Sequence, residues 1–309
     1  MTFSSILTSA HSRIAPYIHR TPIHRSSLLN DIAGAELFFK CDNFQKGGSY
    51  KIRGALNCAL QLSEAEKAKG LTTHSSGNFA QAVSLSAKLL GIPAYIVMPS
   101  TAPAVKVSAV RDYGGEVIPC GPGLADREAM SAEVIARTGA TFLHSSNNLN
   151  LIHGHSSAAI ELLEEAAPLD AIIAPVGGGG LVAGTCLAAE GICEVYGAEP
   201  FEADDAWRSL QSGNIESNDT TNTIADGLKT QLGDINFPII QSHINSIIRV
   251  TEQEIIDAMR LIWTRLKIVA EPSSAVTLAA LLCEKALFEG KRVGLIISGG
   301  NVDVGNLPF

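Results

Sequence analysis

Apolar residues recur along the chain in two rhythms. Short runs at 36–40, 94–98, 116–119, 171–174, 194–198 and 293–298 are apolar or β-branched and end in polar, Gly or Pro residues, the signature of strands buried on both faces. Between most of them, apolar positions return every three to four residues, at 78–90, 102–113, 126–138, 156–165, 181–190, 252–266 and 273–284. That period predicts helices. Strands alternating with helices of about 10–15 residues specify βαβ crossovers and hence an α/β fold with parallel sheets. Three such units follow closely between residues 71 and 143, so a small inserted α/β domain is expected at 66–147, inside a larger domain made of 1–65 and 148–309. The stretch 212–236 is rich in Asn, Asp, Thr and Gly, fits neither rhythm, and is expected to be a long loop.

Composition narrows the function classes. With 46% hydrophobic and 17% charged residues over 309 positions, the chain has the material for well-buried globular cores. A net charge of −8 argues against nucleic acid or an anionic membrane as the main partner. A small anionic ligand stays open, because it needs only local N–H donors. No apolar run reaches the roughly 18 residues that span a bilayer, and residues 1–20 show no signal-peptide core. The six cysteines (Cys41, Cys58, Cys120, Cys186, Cys193 and Cys283) have no C-x-x-C spacing, so they are expected to be buried thiols of a reducing compartment, the cytosol.

The candidate chemistry sits where the rhythms change. Gly47-Gly48-Ser49-Tyr50-Lys51-Ile52-Arg53-Gly54-Ala55 places Lys51 at the start of an apolar helical run. A desolvated lysine there suits condensation with an aldehyde, while a solvated one is an ordinary surface charge. Gly177–Gly180 follows the strand at 171–174 and opens the next helix. Its N–H groups suit a phosphate, and the alternative is a tight turn. Ser75-Ser76-Gly77-Asn78 joins a strand to a helix start, which suits a carboxylate, a helix cap, or both. Glu199, Glu202, Asp204 and Asp205 lie within seven residues. They suit a hard cation such as Mg²⁺, Mn²⁺ or Ca²⁺, but spacing alone favours an acidic helix start. His144, His153 and His155 read as loop or core histidines.

Taken in order, from Lys40-Cys41-Asp42-Asn43-Phe44-Gln45 through Thr223-Ile224-Ala225-Asp226-Gly227 to Ser298-Gly299-Gly300-Asn301-Val302-Asp303, these motifs make the chain similar to the fold-type II pyridoxal-phosphate enzymes of the serine racemase and threonine/serine dehydratase family. The resemblance implies a tryptophan synthase β-like fold and pyridoxal 5′-phosphate as cofactor. It implies that Lys51 carries the cofactor and moves the Cα proton on one face, with Ser76 as acid/base on the other. Asn78 would meet the ring oxygen, Gly177, Gly178, Gly179 and Gly180 the phosphate, and Ser298 the pyridine nitrogen. Ser75, Ser76, Gly77 and Asn78 would hold the substrate carboxylate. It also implies a Mg²⁺ (or Mn²⁺/Ca²⁺) site at Glu199, the Ala203 carbonyl and Asp205, reversing the preference from spacing. A nucleotide effector site at Gln81, Tyr113, Lys267 and Asn301 and a homodimer follow in the same way.

Three positions depart from the relatives. Phe79 replaces a histidine, Gly154-His155-Ser156-Ser157 replaces Gly-Gln-Gly-Thr, and no proline follows His144. These bear on substrate choice and effector response rather than on the cofactor. The sequence ends at Phe309, so no regulatory domain is expected and a catabolic or racemising role is implied. The expected activity is a hydroxy-amino-acid ammonia-lyase acting on L-serine or L-threonine. Its rivals are a serine racemase, a 3-hydroxyaspartate dehydratase, and a cofactor-binding regulator without turnover.

Overall fold

The computed structural model describes residues 3–309. Helix α1 (Ser5–Ile14), strand β1 (Ile23–His24), α2 (Ser27–Ala33) and β2 (Glu36–Cys41) lead to α3 (Lys51–Leu60) and α4 (Glu64–Lys69). Next come β3 (Leu71–His74), α5 (Asn78–Leu90), β4 (Ala94–Pro99), α6 (Ala104–Asp112), β5 (Glu116–Cys120), α7 (Leu124–Thr138) and β6 (Thr141–Phe142). The chain continues with α8 (Leu149–Ala166), β7 (Ala171–Pro175), α9 (Gly180–Ala189), β8 (Glu194–Pro200) and α10 (Asp205–Ser212). It closes with α11 (Asn236–His243), β9 (Ser246–Val250), α12 (Glu252–Leu261), α13 (Pro272–Cys283), α14 (Lys285–Phe288) and β10 (Arg292–Ile297).

Two sheets result. One has six strands in the order β1-β2-β10-β7-β8-β9, and the other four, in the order β5-β4-β3-β6. All pairings are parallel except β1 with β2. Central strands β7 and β10 are buried along nearly their whole length, as parallel strands covered on both faces must be. One apolar cluster joins α12 and α13 to the six-stranded sheet, a second joins α8 and α9 to it, and a third lies between α3, α5 and the smaller sheet. Among the described residues, no helix is long and apolar enough to cross a membrane.

Each predicted strand and helix is present, with shifted ends. Helix α8 begins at Leu149 rather than 156, because the Asn148 side chain accepts from Leu151 N–H and Leu151 and Ile152 of the first turn pack inward. Helix α6 begins at Ala104 because Pro103 sets its entry, and α7 begins at Leu124. The helix expected at 252–266 ends at Leu261 and passes into a π turn, Ile262–Leu266, closed by Lys267 at φ 61°. Strands β1, β3 and β6, which are short, have no counterpart among the predicted runs, nor does β9. Strand β9 is an edge strand, and Ser246 and Arg249 interrupt its apolar pattern. The cysteine expectation needs correction: all six thiols are free, but Cys193 is half-buried and Cys283 exposed.

Helix α8 runs against both α3 and α9, and glycines allow the approach. A Cβ on Gly154 would lie 2.5 Å from the Arg53 carbonyl oxygen, and one on Gly184 would lie 2.7 Å from that of Ile152. Below the crossing, Arg53 is fully buried and pairs with Asp42 at 2.7 Å and Glu161 at 2.7 Å, while Lys40 reaches Glu161 at 2.6 Å. Two cations and two carboxylates thus neutralise one another where a lone charge would be costly. Arg53 lies two residues after Lys51, so this network fixes the helix that presents that lysine.

Candidate active site

Lys51 begins α3 between two pinned segments. Tyr50 N–H donates to the Ser298 carbonyl (2.9 Å), Gly300 N–H donates to the Gly48 carbonyl (2.9 Å), and Ser49 forms a bridge with Gly299. The start of α3 is therefore laid against the C-terminal end of β10, where open α/β sheets bind ligands. The Lys51 ammonium lies 5.0 Å from the Tyr50 ring and 5.7 Å from the Phe79 ring, and donates to the Ser145 carbonyl at 2.9 Å. Burial lowers its pKa to about 8, against the opposing pull of Glu271. A lysine with that pKa supplies neutral amine near physiological pH.

The end of β10 presents hydroxyls. Ser298 Oγ lies 3.0 Å from Ser274 Oγ, and Ser274 in turn donates to the Gly299 carbonyl at 2.8 Å. Nearby, Asn78 Nδ2 donates to both oxygens of Glu271 (2.9 and 3.1 Å), and Asn301 Nδ2 donates to Asn78 Oδ1 (2.9 Å). Glu271 is 4% exposed. Burial, against the Asn78 hydrogen bond, raises its pKa to about 7.

The four glycines are packed on every side. A Cβ would lie 2.7 Å from Leu228 Cα at Gly177, 2.5 Å from Ser146 Oγ at Gly178, 2.6 Å from the Leu232 side chain at Gly179, and 3.0 Å from the Ser146 carbonyl at Gly180. Gly179 also adopts φ +80°, which L side chains disfavour. The N–H groups of the first turn of α9 have no intrahelical acceptor, an arrangement of loop and helix start that suits an anion. The irregular stretch is ordered as its wall. From 213 to 235 it contains only a 3₁₀ turn at Asp226–Leu228, and Asn236 closes it by donating to the Gly178 carbonyl at 2.8 Å.

Ser75, Ser76, Gly77 and Asn78 form the half-exposed turn from β3 into α5. Two histidines, His74 and His144, lie near this turn. His144 Nδ1 accepts from the N–H groups of Ser146 (3.2 Å) and Asn147 (2.8 Å), which leaves the ring proton on Nε2. Its residue is exposed, yet desolvation of the ring, then nearby His74 and Lys51, hold its pKa below the usual histidine value. His74 is likewise lowered, by burial first and then by Arg127.

The acidic cluster divides. Glu202 is exposed, and Asp204 pairs with Arg208 (2.8 Å) and Arg249 (2.9 Å). Glu199 and Asp205 are fully buried. Burial, then Asp205, pushes the Glu199 carboxyl well up. Burial raises Asp205 to about 6 despite hydrogen bonds from Asn218 and Leu232. Ala203 sits in the turn between them. Two buried carboxylates without a basic partner, beside a turn of backbone carbonyls, fit a hard divalent cation.

The remaining expected residues scatter. Gln81 is buried one turn after Asn78, Asn301 donates to Asn78 but not to Gln81, Tyr113 ends α6, and Lys267 is exposed. Among the described residues, no hydrogen bond joins Tyr113 or Lys267 to Gln81 or Asn301. Sequence reasoning passed over Glu271, Ser274, Ser146 and Asn236. Glu271-Pro272 looks like a helix start, and Ser146 and Asn236 look like loop polarity, so only their folded neighbours distinguish them.

Known proteins resemble this chain along nearly its whole length. A family described as "Pyridoxal-phosphate dependent enzyme" matches residues 14–299. The chain is 48% identical to a β-hydroxyaspartate dehydratase of Paracoccus denitrificans, covering 100% of this chain and 98% of that protein. The solved maize serine racemase superposes with a TM-score of 0.96 at 43% identity, covering 98% of this chain and 95% of that one. A solved threonine deaminase of T.th. origin superposes at 0.93 with 40% identity, covering 98% and 99%.

Proposed function

Because the chain belongs to the pyridoxal-phosphate-dependent enzyme family, we propose that it removes water from a 2-amino-3-hydroxy acid, and that 3-hydroxyaspartate is turned over ahead of L-serine and L-threonine. Net, the substrate yields a 2-oxo acid and ammonium. The observation that carries the reading is Lys51: half-buried, with a pKa near 8, and pinned by backbone hydrogen bonds to the strand that ends in Ser298. The crowded glycine cradle and the Ser298–Ser274 hydroxyl pair fit pyridoxal phosphate. That group, when bound, supplies the electron sink for negative charge at Cα.

The chain's own residues do the rest. Lys51 takes the Cα proton, and the N–H groups and hydroxyls from Ser75 to Asn78 hold the α-carboxylate. A hydroxyl at Ser298, unlike a carboxylate, leaves a ring nitrogen unprotonated and so favours loss of a β-hydroxyl over amino transfer. His144 Nε2–H offers a neutral hydrogen-bond donor to a second carboxylate, in line with the hydroxyaspartate relative. Glu199, the Ala203 carbonyl and Asp205 would hold Mg²⁺ or a similar cation.

Racemisation is the second reading, because a Ser76 hydroxyl in the same turn could return the proton to the opposite face of Cα. The test is a chiral product assay with pyridoxal phosphate and Mg²⁺, offering both diastereomers of 3-hydroxyaspartate beside L-serine and L-threonine. Oxo acid formed fastest from a hydroxyaspartate, with little D-isomer, supports the proposal. D-serine accumulating faster than pyruvate would replace it with a racemase. Ser76→Ala should abolish D-isomer formation and retain much of the elimination; equal loss of both would remove the two-face assignment.

A further inference from the structure

His155 is fully buried in α8, and neither ring nitrogen has a hydrogen-bond partner among the described residues. Such groups are rare inside proteins and call for an explanation. The ring is wedged between the two halves of the cofactor site. A Cβ on Gly54, in the helix that begins with Lys51, would lie 2.4 Å from Nε2, and one on Gly180, which opens α9 after the glycine cradle, would lie 3.3 Å from Nδ1. Tyr50, the residue before Lys51, packs edge-on against it with centroids 4.6 Å apart. Burial, then the charges of Lys51 and Arg53, keeps the imidazole neutral.

A neutral imidazole has one N–H and one lone pair. Nε2 faces the helix of Lys51 and Nδ1 the start of α9, so the single proton lies either on the lysine side or on the phosphate side. We propose that His155 is a positioning residue that couples the glycine cradle to Lys51, its single proton moving to Nδ1, on the Gly180 side, when an anion occupies the cradle. The direction follows from Coulomb's law, since a proton on Nδ1 lies nearer an anion at the start of α9 than one on Nε2. A glutamine there would also pair one donor group with one acceptor and so bridge the same two elements, whereas an aliphatic side chain would not. The inference rests on the reading of Gly177–Gly180 as the phosphate cradle.

The test separates phosphate-dependent binding from binding as such. Dissociation constants for pyridoxal phosphate and for pyridoxal are measured by cofactor absorbance on the wild type, His155→Leu and His155→Gln. The wild type should bind the phosphorylated form far more tightly. His155→Leu should shrink that ratio about tenfold, or about 1.4 kcal/mol, and His155→Gln should restore most of it. An unchanged ratio in His155→Leu would overturn the proposal. Failure of the wild type to bind pyridoxal phosphate at all would instead overturn the cofactor reading beneath it. Should His155→Leu not fold, the wild type decides: in ¹⁵N-histidine-labelled protein titrated with inorganic phosphate, the His155 ring nitrogens should shift toward the Nδ1–H pattern. Ring signals indifferent to phosphate would contradict the coupling.

Discussion

The chemistry of single residues follows from what surrounds them. Lys51 loses its proton near pH 8 because Tyr50, Phe79 and the start of α3 desolvate it, and Glu271 alone pulls the other way. Only the neutral amine can condense with an aldehyde. The rate of cofactor capture should therefore rise about tenfold per pH unit below roughly pH 8 and level off above it. Glu271→Gln removes the charge that supports the ammonium, so the bend in that profile should move to lower pH. A bend that stays put or moves up would show that Glu271 does not act on Lys51. At this scale the sequence was partly legible. Lys51, Asn78 and Ser298 announce themselves by glycine-rich neighbours, whereas Glu271 and Ser274 become partners only when α13 lies beside the end of β10.

Among the elements, rigid junctions place these groups, and glycine sets how closely they meet. Gly179 illustrates the cost of changing one: the left-handed backbone alone disfavours a side chain by about 1–2 kcal/mol, and Leu232 and Asn236 occupy the space a methyl would need. Gly179→Ala should therefore weaken pyridoxal phosphate binding more than tenfold while leaving the helical circular dichroism spectrum intact. Full retention of affinity would mean that the loop is a turn and not a cradle. The periodicity foretold β7 and α9 and the glycines between them. It could not foretell that 213–235 folds over that loop, because such a wall carries no repeat and is held by isolated contacts such as Asn236 with Gly178. The early start of α8 was hidden for a related reason: His153, His155 and Ser156 break the apolar count, although the latter two are buried.

On the scale of the whole molecule, charge left unbalanced in the interior ties stability to ligands. Glu199 and Asp205 both have carboxyl pKa values raised by folding, Asp205 to about 6. Folded protein thus holds these protons more tightly than unfolded protein. Their favourable contribution is complete below the unfolded carboxylate range near pH 4 and is lost as pH rises to about 6 and beyond. A cation that neutralises the pair reverses the loss. Thermal unfolding should show Mg²⁺ raising the midpoint at pH 7.5 and having little effect at pH 4.5, with Glu199→Gln blunting the response. Equal effects at both pH values, or none, would remove the cation from the proposal. The alternation of strands and helices announced two parallel sheets. The burial of Glu199 and Asp205 apart from Glu202 and Asp204 depends on which carboxylates meet Arg208 and Arg249, a matter of three-dimensional packing.

The most direct measurement reduces the protein with borohydride in the presence of pyridoxal phosphate, which makes any lysine–cofactor bond permanent, and then locates the added pyridoxyl mass by peptide sequencing. The mass should appear on the peptide containing Lys51 and vanish in Lys51→Ala together with 2-oxo acid production. A label on another lysine, or oxo acid still formed by Lys51→Ala, would contradict the assignment of this site.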